Sequence, residues 1–445
     1  MHLIGIAIIS AYGLIIAFSL LSNKDAFSPA KIFVGYMLLF HFELTYVEYP
    51  LSHYLTFLLY TSIGVFWVLG EYLFISTKSS KSGSIESKIG KGYEGAAGYR
   101  EYQLSALTTI IWMLSIIPFS AQIYLIADSG GIFNYINDAA YRVTEWRGKG
   151  PILIAIKMAM VLQIIYFMLG FYWSVKSKRW WALFLSHFLM VLSLAALTGS
   201  RSVLLMNFVF MLAVYHHTKR QVSIKRILAV GMVLMMVASV LGLARNNLKV
   251  SEDNFQTGLD KDISFEARNK TLTSTFRYGL IPLDFIYSYD PKKIQYGASL
   301  VTPVTNIIPR TLWPSKIDTS SMAMNKEYVE DRGVGPYQYA AGMIGFGVMN
   351  FGWVFGIPFS FALTFLGLAM IESGYFKFIR VNHSGNFISA LRALGMIYVM
   401  FAFSALIIGE VSNVFIELFL TQLSPLFFII VCVKIINFEY RRRYL

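Results

Sequence analysis

Apolar runs of about 20 residues, the length that crosses ~30 Å of hydrocarbon as a helix, recur along almost the whole chain. They fall at 2–21, 31–48, 54–75, 104–127, 152–175, 180–199, 202–216, 227–246, 337–371, 387–408 and 412–437. The pattern predicts an all-α, polytopic integral membrane protein with about eleven transmembrane helices, ten to twelve depending on how two stretches divide. In 180–216, Gly199 and Ser200 interrupt the apolar sequence and Arg201 follows. The run 337–371 is over-long and glycine-rich, so part of it is expected to be tilted, broken or re-entrant. The first run has no basic residue before it and no small-residue cleavage site after it, and reads as an anchor rather than a removable signal.

One long polar stretch, 247–335, separates the eighth run from the ninth. Connections of that length are normally functional or disordered. This one carries FRYGLIPLDFIYSYD, YGASLVTPVTNIIPRTLWP and SSMAMNKEYVED, too rich in aromatic and β-branched residues for a solvated linker. The expected organisation is therefore eight membrane helices in 1–246, a large extracytoplasmic loop in 247–335, and three further helices in 336–445.

Composition agrees with the pattern. The chain is 56% hydrophobic, 16% aromatic and 14% charged, where soluble domains are nearer ~25% charged. Its single cysteine, Cys432, lies inside an apolar run, which excludes a disulfide framework and a CxxC zinc site.

Charge gives the orientation. The connectors 22–31, 76–103, 176–179, 216–226, 372–386 and 437–445 all fall on one side if there are eleven spans. They hold nineteen lysines and arginines against six acids (Asp25, Glu86, Glu94, Glu101, Glu372 and Glu439), a difference equal to the whole formal net charge of +13. By the positive-inside rule that side is the cytoplasm. The basic balance is thus a topology signal, and it leaves nothing to support nucleic-acid binding. The 247–335 stretch is neutral, with 11 basic and 11 acidic residues. It shares the opposite side with 128–150 (Arg142, Arg147, Lys149), ALTGSRS (196–202), LARNN (243–247) and IIGEVSN (407–413), which implies a cavity at that face.

Four arginines stand out there. Arg201 and Arg245 sit at span ends, where a guanidinium needs a partner or a purpose, or snorkels as an anchor. Arg277 (STFRYGL) and Arg310 (IIPRTLWP) lie inside the semi-apolar loop, the latter stiffened by Pro309 and Pro314. Several arginines on one face suggest a phosphate-bearing ligand, since guanidinium stays charged and grips phosphate oxygens bidentately. At a membrane surface a lipid diphosphate is the obvious candidate.

Glu410, in SALIIGEVSNVF, is held at the hydrocarbon boundary between two spans. It is a candidate general base; a structural ion pair to one of the arginines is the alternative. His41, Glu43 and Glu48 either face the same cavity or serve helix packing. Lys157, early in the fifth span, reads as a snorkelling side chain. There is no HExxH, GxSxG or Walker sequence. Asp260 and Asp262 have DxD spacing around Lys261, but the polar context reads as a solvated loop face, so no metal and no cofactor is expected.

LTGSRSVLL at a span junction, IIPRTLWPSK late in the large loop, the glycine-rich GVGPYQYAAGMIGFGVMNFGWVFG, and GE before the last span together resemble the Wzy-type O-antigen or polysaccharide polymerases, over roughly residues 190 to 415. The family's loop arginines match Arg201 and Arg310 best, Arg245 and Arg277 by context, and Glu410 by its place before the final span. The resemblance implies a glycosyltransferase in the bacterial inner membrane that takes a glycan from undecaprenyl diphosphate. It transfers that glycan to the non-reducing end of another lipid-linked repeat unit at the outer face, without nucleotide sugar or metal. Arg310 and its fellows would stabilise the departing diphosphate, and Glu410 would assist the acceptor hydroxyl. A chain-length regulator is an implied partner. Tyr278, Tyr287, Trp313, Tyr337 and Tyr339 offer aromatic surface for sugar faces, or form an interfacial belt.

Two other readings use the same features. An O-antigen ligase shares the donor and the large loop, but a loop histidine is expected of it and 247–335 has none. A flippase of the lipid-linked unit would show internal repeats and midplane charges; no repeat is evident, and the charges cluster at one face.

Overall fold

A computed structural model describes residues 2–22, 25–78, 97–135, 149–197, 201–223, 225–227, 229–234, 236, 281–287, 294–305, 308, 312–328, 340–377 and 387–444. Among the described residues every regular element is helical. In order these are α1 (His2–Ser22), α2 (Pro29–Phe40), α3 (Leu51–Lys78), α4 (Ala97–Asp128), α5 (Gly150–Tyr172), α6 (Lys178–Leu197) and α7 (Arg201–Thr218). Then follow α8 (Ile281–Tyr287), α9 (Thr302–Thr305), α10 (Ser320–Tyr328), α11 (Gly342–Tyr375), α12 (Phe387–Ala405), α13 (Val411–Ile416) and α14 (Ser424–Tyr444), with a π-helical stretch, Glu417–Leu423, between the last two.

Among the described residues, seven helical segments are long and apolar enough to cross a membrane: Leu3–Leu20, Leu51–Tyr72, Glu101–Asp128, Gly150–Tyr172, Gly342–Tyr375, Phe387–Ala405 and Val411–Tyr440. They coincide with seven of the eleven expected runs. The second run, 31–48, stops short: α2 ends at Phe40, and FELT forms a separate 3-10 turn. Helices α6 and α7 form where the sixth and seventh runs were expected but are not among the seven, and the eighth run lies largely outside the described residues.

The chain divides into two compact units. The first comprises Met1–Ser82, Ser264–Phe376 and Val399–Ile416, the second Gly83–Ile263, Lys377–Tyr398 and Glu417–Leu445. The first unit has a core of Phe33, Val34 and Met37 from α2, Phe57 and Ile63 from α3, and Ile344, Val348 and Met349 from α11. Leu283 and Ile286 of α8 and Met324 of α10 join it. The described pieces of the polar stretch thus bury apolar side chains, as its composition requires.

Helix α11 contains the expected break. Gly352 has φ 68° and ψ −177°, a conformation open essentially only to glycine. A Cβ on Gly347 would fall 2.3 Å from the carbonyl oxygen of Gly356, and one on Gly356 2.4 Å from that of Gly347. Nine residues of unbroken helix would hold those positions about 13 Å apart, so the chain turns back at Gly352. Residues 342–350, all buried, form a short inner arm against the span-length arm that begins at Trp353. Ser360 locks the crossing, donating to Gly356 O at 2.9 Å and contacting the Tyr60 hydroxyl.

In the second unit α4, α5 and α6 are joined by a polar clamp in a hydrophobic setting. Ser115 Oγ lies 2.8 Å from His187 Nε2 and donates to Ile111 O at 2.7 Å, while His187 Nδ1 contacts the Gln163 side-chain carbonyl. All three residues are fully buried, and the rings of Trp112 and Tyr166 stand edge-on to the imidazole.

Candidate functional site

The turn between α12 and α13 creates the first polar centre. After α12, Leu406 O accepts the Met343 N–H at 2.8 Å, which fixes the start of α11 beside this turn. Gly342 fits because its φ is +63° and a Cβ would meet Ile407 O at 2.2 Å. Glu410 then stands at the entrance of α13: its carbonyl accepts the first helical bond, from Val414 N–H at 2.9 Å.

The Glu410 side chain points inward, 7% exposed. Its Oε2 accepts the Ser321 N–H at 2.8 Å and its Oε1 accepts the Ser412 hydroxyl at 3.0 Å. Ser321 belongs to the first turn of α10, where unpaired helix N–H groups favour an anion. Ser321 Oγ in turn accepts the Ala341 N–H at 2.8 Å. One carboxylate therefore ties the polar stretch, the α12–α13 turn and the entry to α11 together.

A second network extends this centre. Asn350, on the inner arm of α11, donates to Ser299 Oγ at 2.6 Å and to Phe346 O at 2.6 Å, and Ser299 Oγ is 3.0 Å from Ser320 Oγ. The Gln295 N–H reaches Met349 O at 2.8 Å. Gln295 and Ser299 thus hydrogen-bond to α11, and Ser321 to Ala341 at its N-terminus.

Aromatic residues flank the site. Tyr287 stacks on Trp353, centroids 4.5 Å apart and 10° from parallel, and faces His53 at 5.4 Å. Its hydroxyl donates to Ser52 O at 3.0 Å. Burial pushes the Tyr287 phenol above its ordinary pKa, partly offset by its contact with Thr56. Tyr287 therefore packs against two other rings. Trp313 is 40% exposed, and Tyr278, Tyr337 and Tyr339 lie outside the described residues.

Of the other residues singled out from sequence, Arg245, Arg277 and Arg310 lie outside the described residues, as do Asp260 and Asp262. The backbone of Arg201 opens α7, but its side chain is outside the described set. His41 is buried, its Nδ1 3.0 Å from Met37 O and its ring 5.2 Å from Phe57, a packing arrangement. Glu43 is buried and Glu48 exposed.

A further buried ionic group sits in the same unit, and sequence reasoning missed it. Lys31 Nζ donates to Asp25 O at 2.7 Å and pairs with Glu71 at 3.6 Å. Glu372 Oε1 accepts the Ala30 N–H at 2.9 Å, capping α2, and the Tyr375 hydroxyl contacts the Asp25 carboxylate. All five side chains are less than 5% exposed. Asp25, Lys31 and Glu372 look like connector charges in the sequence. The available signal was Glu71, a carboxylate inside the apolar run 54–75.

These features define a multi-pass helical membrane protein whose polar insertion is docked by a buried glutamate. The family model described as O-antigen polysaccharide polymerase Wzy matches residues 2–443, nearly the whole chain, and the protein belongs to that family. Neither a curated protein nor a solved structure matches it. Membership makes it a glycosyltransferase-type polymerase of O-antigen repeat units, acting on lipid-linked oligosaccharide in a membrane.

Proposed function

We propose that this polymerase transfers the growing glycan from undecaprenyl diphosphate to the non-reducing end of another lipid-linked repeat unit. The reaction takes place at the extracytoplasmic face of the bacterial inner membrane and needs no metal. In this reading 1–246 holds eight membrane helices and 336–445 three, about eleven spans in all, on either side of the extracytoplasmic stretch 247–335. The orientation rests on the nineteen basic residues gathered on one side.

The observation that carries the proposal is Glu410, a buried carboxylate held by two neutral donors where the polar stretch, the α12–α13 turn and the entry to α11 converge. The acceptor hydroxyl attacks the anomeric carbon. A carbon–oxygen bond forms to the acceptor, the bond to the diphosphate oxygen breaks, and its electron pair leaves with undecaprenyl diphosphate. Glu410 receives the hydroxyl proton. Arg201, Arg245, Arg277 and Arg310 bind the diphosphate, and Arg310 stabilises the charge developing on the leaving oxygen. A chain-length regulator is the expected protein partner.

The test is synthesis from purified protein and undecaprenyl-diphosphate-linked repeat units, with lipid A core offered as a second acceptor, with chelator and without nucleotide sugar. A ladder of lengthening glycan that disappears in Arg310→Ala supports the proposal. Transfer only to lipid A core would replace it with a ligase, and absence of either product with a flippase.

A further inference from the structure

Lys157 and Glu417 form an ion pair in a place that ordinarily excludes one. Lys157 Nζ lies 2.7 Å from Glu417 Oε2, both within the second unit, and both residues sit inside candidate spans, Gly150–Tyr172 and Val411–Tyr440. Counting 1.5 Å per residue along each apolar segment puts Lys157 and Glu417 each about 10 Å from its first residue. The side chains are 44% and 40% exposed. The neighbouring Phe415 and Phe419 are exposed as well, as expected of a face that meets lipid.

Hydrocarbon is a costly environment for such a pair, and intramembrane charges nearly always face protein or water. Snorkelling suits the long lysine stem but not glutamate, whose two-carbon stem does not reach an interface that far away. Glu417 also opens the π-helical stretch Glu417–Leu423. Such local widenings of a helix re-aim side chains and recur at functional positions.

The chemistry of the pair selects its partner. The pair is neutral as a unit, so it attracts neither an anion such as a diphosphate nor a free cation. Each member keeps unused capacity: an ammonium has three donors and a carboxylate about four acceptor sites. The complement of an adjacent donor and acceptor is an adjacent acceptor and donor. A second copy of this chain, turned by a two-fold axis, presents that arrangement, and two-fold self-complementary contact is the commonest form of protein association. Polar side chains of this kind hold membrane helices together.

We propose that Lys157 and Glu417 mark a homodimer interface in the membrane, in which the lysine of each copy also pairs with the glutamate of the other. The inference is independent of the catalytic proposal and needs no activity assay.

The experiment measures energy transfer between two differently labelled populations of full-length protein in liposomes over a range of protein-to-lipid ratios. Wild-type copies associate. The neutral variant Lys157→Met with Glu417→Gln, which removes the charges without leaving one unpaired, associates roughly tenfold more weakly, the size of a contact-range coupling. The decisive arm mixes Lys157→Glu copies with Glu417→Lys copies. Each repels itself across the axis, but together they are complementary, so the mixture associates about tenfold better than either alone. Monomeric wild type at every ratio overturns the proposal, as does neutral-variant association equal to wild type. If the single-charge variants do not insert, the neutral variant decides the question by itself.

Discussion

Glu410 Oε2 accepts the backbone N–H of Ser321 at 2.8 Å, joining a membrane-helix turn to a residue 89 positions earlier in the polar stretch. This bond separates two roles for the carboxylate. Glutamine at 410 keeps a side-chain carbonyl for Ser321 but loses basicity, whereas alanine loses both. Glu410→Gln should therefore keep wild-type thermal stability and lower polymerisation by about 10²–10⁴-fold, the range of a general base. Glu410→Ala should in addition destabilise by about 1–3 kcal/mol, because a buried N–H loses its partner. Full activity in the glutamine variant would reduce Glu410 to an anchor.

The reversal in α11 depends on a backbone conformation, so it is sensitive to a single methyl group. Gly352→Ala should cost about 1–3 kcal/mol through the strained φ alone, and its Cβ would also meet Ile294 Cδ1 at 3.0 Å. Gly13, in the middle of α1, has nothing within 4 Å of a built Cβ. Gly13→Ala should be neutral or stabilising by about 0.5–1 kcal/mol. Thermal denaturation of the two variants in the same detergent compares them directly; equal effects would mean that the turn at Gly352 tolerates an L-residue.

Much of this architecture is legible in the amino-acid sequence, because hydrophobic length is a local signal. The runs at 54–75, 104–127 and 152–175 become helices α3, α4 and α5, and the excess of glycine in 337–371 foretells a broken helix. The GE pair likewise points to Glu410, since a carboxylate between two spans with almost no connector has few other places to go. The second run misleads: 31–48 is apolar enough to cross, yet His41 closes α2 by bonding back to Met37, and the chain leaves the helix. The ionic group at Lys31 is illegible for a different reason. Asp25 and Lys31 are neighbours in sequence, but Glu71 and Glu372 come from distant parts of the chain, and only tertiary packing turns the connector charges Asp25, Lys31 and Glu372 into buried partners. The same holds for Lys157, whose position suggests snorkelling while the structure pairs it with Glu417.

That buried group makes a stability prediction with an internal control. Lys31→Met removes the cation that pairs with Glu71 and leaves a buried carboxyl without its ion-pair partner, which should cost about 3–5 kcal/mol. Adding Glu71→Gln removes the stranded carboxyl and should recover most of the loss. The melting temperature of the double variant is the informative value: if it lies no higher than that of Lys31→Met, the 3.6 Å pair is not what holds α2 and α3 together.

The clamp of Ser115, Gln163 and His187 should behave as interhelical glue of modest strength. Hydrogen bonds between membrane helices average ~0.6 kcal/mol and reach ~1.7, because the alternative partners within the bilayer are also protein groups. Ser115→Ala removes one contact while Ile111 O keeps its helical bond, so the loss should stay near the lower figure. His187→Leu removes the central member of the clamp, leaves Gln163 without that partner, and takes away the ring against which Trp112 and Tyr166 pack. Its cost should exceed that of Ser115→Ala by about 1–3 kcal/mol, the penalty of a buried polar group deprived of its partner. Comparable denaturation midpoints for the two variants would show that the imidazole serves as packing volume and that its hydrogen bonds contribute little to the α4–α5–α6 assembly.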